Sequence, residues 1–329
     1  MKYKDILKKK YPHGIMFHHF HDNKKHKSGQ GTINQKQFKN IINFVGRKNI
    51  LDAENFIKFF KRKELKKNHL CLTFDDTNPT QIDIALPILK KLKIKAFFFL
   101  NTAPIKGNYD KLELYRFFRN NFFKDIKTFY KSFYNYLPIS VLDYLKMNKK
   151  KILYKKKIYP HYTYEDIKFR IVRSNFLKKK KYDQVMFKMF RDYKFNPKKS
   201  FNKMFVKTKH ILTIAKEGHS IGLHSHNHPI RMSKLKYNQQ FQEYNTNLKV
   251  LCEILKKPRH YFSSMSHPCG SYNNNTLKVL RKLDIQVGFI ERMTDINTNH
   301  HHKFKIPRQD HSDILSMMKK NKKKIYEKN

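Results

Sequence analysis

Residues 70–76 read LCLTFDD, five residues of strand length and apolar character running straight into two carboxylates. A short apolar run of this kind is a candidate buried strand. Similar runs recur along the chain, at residues 14–20 (GIMFHHF), 95–100 (KAFFFL), 220–224 (SIGLH), 260–265, 286–290 and 304–306. Helical periods lie between them. Phe38, Ile41, Ile42 and Val45 repeat at helical spacing within residues 34–45, and residues 81–92 are helical in period, with Pro87 shortening or kinking them. Tyr237, Phe241, Tyr244, Leu248, Leu251 and Leu255 form one stripe of a long helix, for which Ser233 is the candidate N-cap. Further helices are expected around residues 276–283 and at the basic C-terminus. Alternating strands and helices predict a parallel α/β architecture, a barrel or an open sheet. In either, chemistry gathers at the C-terminal ends of the strands.

The middle of the chain differs. Residues 106–205 carry helical periods rich in Phe, Tyr and Lys, clearest at 112–123, 126–136 and 182–193, and no strand pattern. They read as an all-helical insertion, acting as a lid or packing layer or in substrate selection. The expected division is a discontinuous α/β domain, residues 1–105 and 206–329, interrupted by the helical insertion 106–205.

Composition sets the outer bounds. A length of 329 residues suits one large domain or two. With 39% hydrophobic and 14% aromatic residues, there is enough apolar material for a core, so a wholly disordered chain is not expected. No apolar run reaches membrane-spanning length, and residues 1–10 are basic with no apolar stretch behind them, so neither a spanning helix nor a secretory signal is expected. Cys71, Cys252 and Cys269 are odd in number and outside CxxC spacing, which argues against a disulfide framework and fits a reducing cytoplasm. Lys and Arg total 72 against 25 Asp and Glu, a net charge of +47. Such charge attracts nucleic acid, anionic membrane or acidic glycans. Lysine is nevertheless spread over the whole chain, with runs at 178–181 and 319–324 that read as exposed faces and tails. No nucleic-acid module is recognisable, so no specific nucleic-acid partner is expected. Glycine is scarce, at nine residues. A glycine-poor chain is expected to keep glycine where the backbone has no substitute, and Gly14, Gly218, Gly222 and Gly270 lie beside the His-rich and Ser-His-Pro-Cys segments.

Adjacent carboxylates repel, so Asp75 and Asp76 both stay charged only beside something cationic. Solvated loop acids are the plain alternative. A second group favours a metal: residues 222–229 (GLHSHNHP) follow another strand and place His224 and His228 four apart across a turn stopped by Pro229. Two imidazoles and one carboxylate make a site with open positions for water. His226, between them, is expected to point away.

The segment CLTFDD, followed by ALPILKKLKIKAFFFLNT, resembles the first motif of the polysaccharide deacetylases (carbohydrate esterase family four, the NodB-homology fold). IGLHSHNHP is similar to that family's His-Ser/Thr-x-x-His motif, and SHPCGSYN resembles its Pro-Tyr-Gly turn, with Cys269 where an aromatic is usual. GIMFHHF looks like the opening strand of the branch acting on surface polysaccharides. The resemblance covers roughly residues 14–105 and 206–310 and leaves the helical insertion outside. It implies a distorted (β/α) barrel with an inserted all-helical subdomain, an open sheet being the other arrangement. It implies Asp75 as general base, Asp76, His224 and His228 as ligands of a divalent ion, most often Zn2+, and the backbone N–H of Cys269 as an oxyanion donor. Where the family carries an Arg that braces the base, this chain has Ser266, and Arg308 is the candidate replacement. The late Asp/Trp motif cannot be complete, because the chain has no Trp. His18 is the candidate general acid, with His19 and His311 as alternatives. If neighbouring side chains alternate on a strand, His18 and His19 cannot both face the site. Residues 300–302, all His, read as a polar loop rather than a second metal site.

The resulting expectation is a hydrolase removing acetyl from an N-acetylated sugar or glycan precursor for surface polysaccharide. Its substrate is anionic or lipid-linked, and it works in the cytoplasm at the inner membrane leaflet. The same site acting on O-acetyl esters or other non-peptide amides, or a basic glycan- or nucleic-acid-binding protein with an inactive site, are the competing readings.

Overall fold

The computed structural model describes residue 3 and residues 11–76, 78–159, 162–293 and 302–326, with side chains as far as 321. The reading of residues 1–10, apart from Tyr3, lies outside them, as do two of the three histidines at 300–302. By compactness the chain divides into two units. One comprises residues 1–26, 31–110 and 202–329, the other residues 27–30 and 111–201.

The first unit is built on parallel strands. In chain order these are β1 (His13–Phe17), β2 (His19–Phe20), β3 (Thr32–Ile33), β4 (Leu70–Asp75), β5 (Phe97–Leu100), β6 (Ser220–Leu223), β7 (Ser264–Ser266), β8 (Val287–Phe289) and β9 (Arg308–Asp310). Seven of them form one sheet in the order β8-β7-β6-β5-β4-β1-β9, and β2 pairs with β3 separately. A parallel bridge from Phe289 to Ile306, just ahead of β9, brings the end of the sheet back onto β8. The result is a nearly closed seven-stranded α/β barrel. The closing segment differs from expectation: residues 304–306 do not form the last strand, which lies two residues further on. Ile306 instead makes the bridge that nearly closes the ring.

Alternation along β4 sorts its side chains. Leu72 and Phe74 point outward into the helix layer, where Phe17, Phe74 and Phe98, register partners on adjacent strands, stack with ring centroids 5.3 and 4.7 Å apart. Pairs of this kind contribute about 0.5–1.5 kcal/mol each beyond their burial. Cys71 points the other way and packs with Phe97, Phe99, Phe289 and Ile306. Phe56, on the helix Ala53–Lys61, lies against Phe97 and Phe289 and caps this inner cluster from the N-terminal end of the strands. Thr73 and Asp75, further along the same face, therefore sit nearer the open C-terminal end.

Local sequence explains most of the helices. Asn34 caps Gln35–Val45 in a capping box with Gln37, and the four expected apolar residues are its buried stripe. Ser233 is not the cap of the long helix: that helix runs Tyr237–Leu255, its entry is held by Lys236 N–H donating to Gln239 Oε1, and Ser233 lies in a separate turn bonded to Ser271. Residues 81–92 are helical but divided. Gln81–Ala85 form one π turn, and Pro87 stands in the first turn of the α-helix Leu86–Lys91 that follows. A proline lacks the N–H needed deeper in a helix, so the chain restarts there.

The glycine expectation holds for the four residues singled out: Gly14 and Gly222 sit at close approaches, and Gly218 and Gly270 have positive φ. Gly222 is needed for close approach, since a Cβ there would lie 2.6 Å from the Ser264 carbonyl oxygen. Left-handed backbone, however, falls on eleven non-glycine residues among those described, including Lys63, Lys93 and Lys256 at helix ends. Lysine occupies turns where glycine is the usual choice.

The second unit is helical among its described residues. Its core is aromatic: Phe118 meets Phe190 edge-on at 4.7 Å, and Phe190 meets Phe195 edge-on at the same distance. Among the described residues no helix is long and apolar enough to cross a membrane.

Candidate active site

Asp76, His224 and His228 converge at the C-terminal ends of β4 and β6. Asp76 follows β4 directly, with φ +64°, and His224 follows β6. The turn between the two histidines is held by His228 N–H donating to Ser225 Oγ at 3.2 Å, and Ser225 and His228 also have positive φ. Left-handed backbone at non-glycine residues costs roughly 1–2 kcal/mol each. Its concentration here marks a place where packing enforces an unfavourable conformation to aim side chains. His226 points away, its Nδ1 hydrogen-bonded to Thr102 Oγ1 at 2.9 Å.

Asp76 Oδ1 lies 3.3 Å from Nε2 of both His224 and His228, and one ligand atom from each residue lies within 4.8 Å of the others. Each outer nitrogen faces an oxygen. His224 Nδ1–H donates to the Ser266 carbonyl at 2.9 Å, and His228 Nδ1 stands 2.9 Å from Asp110 Oδ2. In neutral imidazoles that carry their proton on Nδ1, facing those oxygens, both Nε2 lone pairs turn toward Asp76 Oδ1, a buried oxygen with no hydrogen-bond partner. Unless a proton bridges them, three electron-rich atoms facing one another need a cation between them. Two ligands about 2.0–2.1 Å from a tetrahedral ion stand roughly 3.3 Å apart, which matches the spacing. The residues therefore fit a divalent ion. Burial works against charge on His228, but Asp76 and Asp110 outweigh it and push its pKa well above the ordinary histidine value. Burial also opposes the Asp76 charge, yet His228 and His224 hold its carboxyl well below the usual range.

Asp75, the last residue of β4, is only 2% exposed and faces Arg308, 1% exposed, which arrives from β9. Arg308 Nη1 donates to Asp75 Oδ1 at 2.7 Å and Nη2 donates to Ser266 Oγ at 2.8 Å, while Ser266 Oγ–H donates to Asp75 Oδ2 at 3.2 Å. Serine at 266 thus leaves room for an arginine from another strand. Gly14, beside Arg308 on β1, leaves room for its stem: a Cβ there would lie 3.0 Å from Arg308 Cγ. Burial raises the Asp75 pKa, but Arg308, His224 and His18 together hold it below its usual value. Arg308→Met would leave a buried carboxylate without its partner, so denaturant melts should show a loss of about 3–5 kcal/mol. An unchanged midpoint would show that the pair is not coupled as the distances indicate.

His18 Nε2 is 3.9 Å from Asp75 Oδ2, and the side chain is partly exposed. The opening run, expected as one strand over residues 14–20, breaks at His18, so simple alternation does not carry across it. The His18 and His19 rings lie nearly parallel, at 13°, with His19 buried in β2. His311 is enclosed, its ring nitrogens 3.3 and 3.2 Å from the carbonyls of Met16 and Gly31. Cys269 has φ +50° and its Sγ is 4.0 Å from His228 Nε2. In its turn, the N–H groups of Gly270 and Ser271 are used by the carbonyls of His267 and Pro268. Of the 300–302 run only His302 is described, and its Nδ1 accepts from Phe304 N–H, a local turn contact.

Three supporting residues escape the sequence reading. Asp110 orients His228, and an acid soon after the end of β5 was its one visible sign. Metal affinity of Asp110→Asn, measured by chelator competition, should fall about 10–100-fold. An unchanged affinity would remove Asp110 from the site. Gln81, in the π turn, donates through Nε2 to the carbonyls of His18 and Asp75, both at 2.7 Å, and so ties β1 to β4 where both reach the site. No sequence signal marks it. Asn247 accepts from His224 N–H at 3.0 Å and donates to the Leu100 carbonyl at 2.9 Å. A polar residue inside the stripe Tyr244, Leu248, Leu251 was its sign.

The sequence profile of the family described as polysaccharide deacetylase matches residues 62–123 and 158–288, more than half of the chain. The match enters the helical unit, which the resemblance had left outside, and does not include the opening strand. No curated protein sequence matches the chain. Among solved structures, the Streptococcus pyogenes deacetylase PplD in complex with acetate is similar, with a TM-score of 0.54 and 15% identity, covering 93% of this chain and 96% of that one. A de-N-acetylase from Aggregatibacter actinomycetemcomitans gives 0.52 and 13%, covering 90% and 93%. IcaB from Ammonifex degensii gives 0.51 and 12%, covering 91% and 87%. At these identities the structures share a fold. The family assignment comes from the profile, and by that profile this chain belongs to the polysaccharide deacetylase family.

Proposed function

We propose that the chain is a metal-dependent hydrolase that removes N-acetyl groups from a sugar in a precursor of surface polysaccharide, anionic or lipid-linked. We locate this work in the cytoplasm, at the inner leaflet of a membrane. The reading rests above all on one observation: two imidazole nitrogens and a partnerless carboxylate oxygen meet at 3.3 Å spacing beside a buried carboxylate braced by arginine.

Two nitrogens and one oxygen suit Zn2+ and leave coordination positions open. When bound, such an ion supplies an acidified water and polarisation of the acetyl carbonyl. The rest falls to the chain. Asp75, charged and buried without being one of the three converging ligands, takes a proton as water adds to the carbonyl carbon. Arg308 and Ser266 hold its carboxylate in a single orientation for that task. The Cys269 N–H, which its own turn does not use, donates to the oxygen that gains charge. His18, partly exposed beside Asp75, gives a proton to the departing nitrogen as the C–N bond breaks, leaving acetate and a free amine.

Acetate release from a panel of N-acetylated and O-acetylated sugars tests the reading. Release from at least one N-acetylated sugar is expected. Release from O-acetyl esters alone would replace the amide with the ester, and no release from any of them would overturn the deacetylase reading.

A further inference from the structure

Twelve large apolar side chains are exposed among the described residues, and six of them fall within twenty residues of the helical unit: Ile139, Leu142, Met147, Leu153, Tyr154 and Ile158. Ile139 and Met147 are each 84% exposed. Single exposed apolar residues are ordinary; a group of this size on consecutive elements is not. The elements are the helices Ser140–Met147 and Lys149–Ile158. Both bury their opposite stripes on the same small cluster, where Ile152 meets Ile167 and Ile171, with Tyr144 and Leu145 packed alongside. At 100° per residue, the outer face of the second helix carries Leu153, Tyr154 and Ile158 with Lys150 and Lys157 between them.

Charge says what this face fits. Residues 139–158 contain seven lysines and one acid, Asp143. Lys146, Lys149, Lys150, Lys151 and Lys157 are exposed beside the apolar side chains. A polyanion such as nucleic acid or acidic glycan would use the lysines but has no use for isoleucine, leucine and methionine. An anionic bilayer uses both: phosphates meet the lysines, and the apolar side chains enter the boundary between headgroups and acyl chains. Most of the segment also lies between the two stretches matched by the family profile.

We infer that this paired-helix face is a docking surface for an anionic lipid bilayer. It deepens the membrane-side reading given above and does not depend on the deacetylase chemistry. The test is flotation of the full chain with phosphatidylcholine vesicles, with and without phosphatidylglycerol, at low and high salt. The wild type should bind the phosphatidylglycerol vesicles and retain part of that binding at high salt. The charge-preserving variant Leu142→Ser/Met147→Ser/Leu153→Ser should lose roughly tenfold or more in affinity. Lys149→Gln/Lys150→Gln/Lys151→Gln should lose roughly a hundredfold at low salt. Leu212→Ser, which removes an exposed apolar residue of the first unit, should bind as the wild type does. Circular dichroism melts check that each variant is folded, and acetate release from a water-soluble substrate is followed separately, so failure of the chemistry and failure of docking are distinguishable. Three results would overturn the inference: no binding of the wild type to phosphatidylglycerol vesicles, equal binding of the serine variant, or wild-type dimers that the serine variant dissolves.

Discussion

Asp75→Asn is expected to lower acetate release by about two to four orders of magnitude, the usual contribution of a positioned general base. Its metal content should stay that of the wild type, because Asp75 lies beside the three converging atoms without being one of them. The substitution also leaves Arg308 buried without its charge partner, so stability must be measured alongside activity. The double variant Asp75→Asn/Arg308→Met separates the effects: it should recover stability relative to Asp75→Asn and remain inactive. Recovery of activity with stability would mean that Asp75 matters only for folding.

The same pair fixes a pH dependence. The Asp75 pKa is depressed in the folded chain, with Arg308 the chief opponent of burial. The stability it contributes is therefore fully present above the unfolded carboxylate value of about 3.9 and is lost as pH falls through the lower folded value. Asp75 is thus ionised, and competent as a base, at any pH near neutrality. The His228 pKa moves upward instead, so a proton would compete with a metal ion for its Nε2, and metal affinity should fall with acid before Asp75 is protonated.

Much of the barrel is legible in the sequence because its strands are covered on both faces. Residues 70–74, 95–100 and 220–223 are nearly continuous apolar runs, and the two acids and two histidines stand where those runs stop. What is not legible belongs to short elements and to long-range meetings. β7, β8 and β9 are three residues each, too short to carry a period, and the bridge at Ile306 depends on a partner seventeen residues earlier. The break at His18 is enforced from outside its strand: Asn78 and Gln81 both donate to the His18 carbonyl. Arg308 could be proposed from the absence of an arginine at 266, but its reach to Asp75 also depends on a glycine at 14 and a serine at 266, three positions that come together only once the barrel closes. The expectation about glycine does not run in reverse, for a compositional reason. In a chain so rich in lysine, several helix ends adopt left-handed backbone at lysine, so scarcity of glycine is a weak guide to where backbone constraint lies.

The central claim is that Asp76, His224 and His228 hold one divalent ion, and metal analysis of purified wild type beside His224→Ala tests it most directly. Loss of one of three ligands leaves His228 and Asp76 too few to retain an ion through purification. The prediction is about one equivalent of a divalent metal, zinc foremost, in the wild type, little or none in His224→Ala, and both chains folded by circular dichroism. Equal metal in the two proteins would contradict the account.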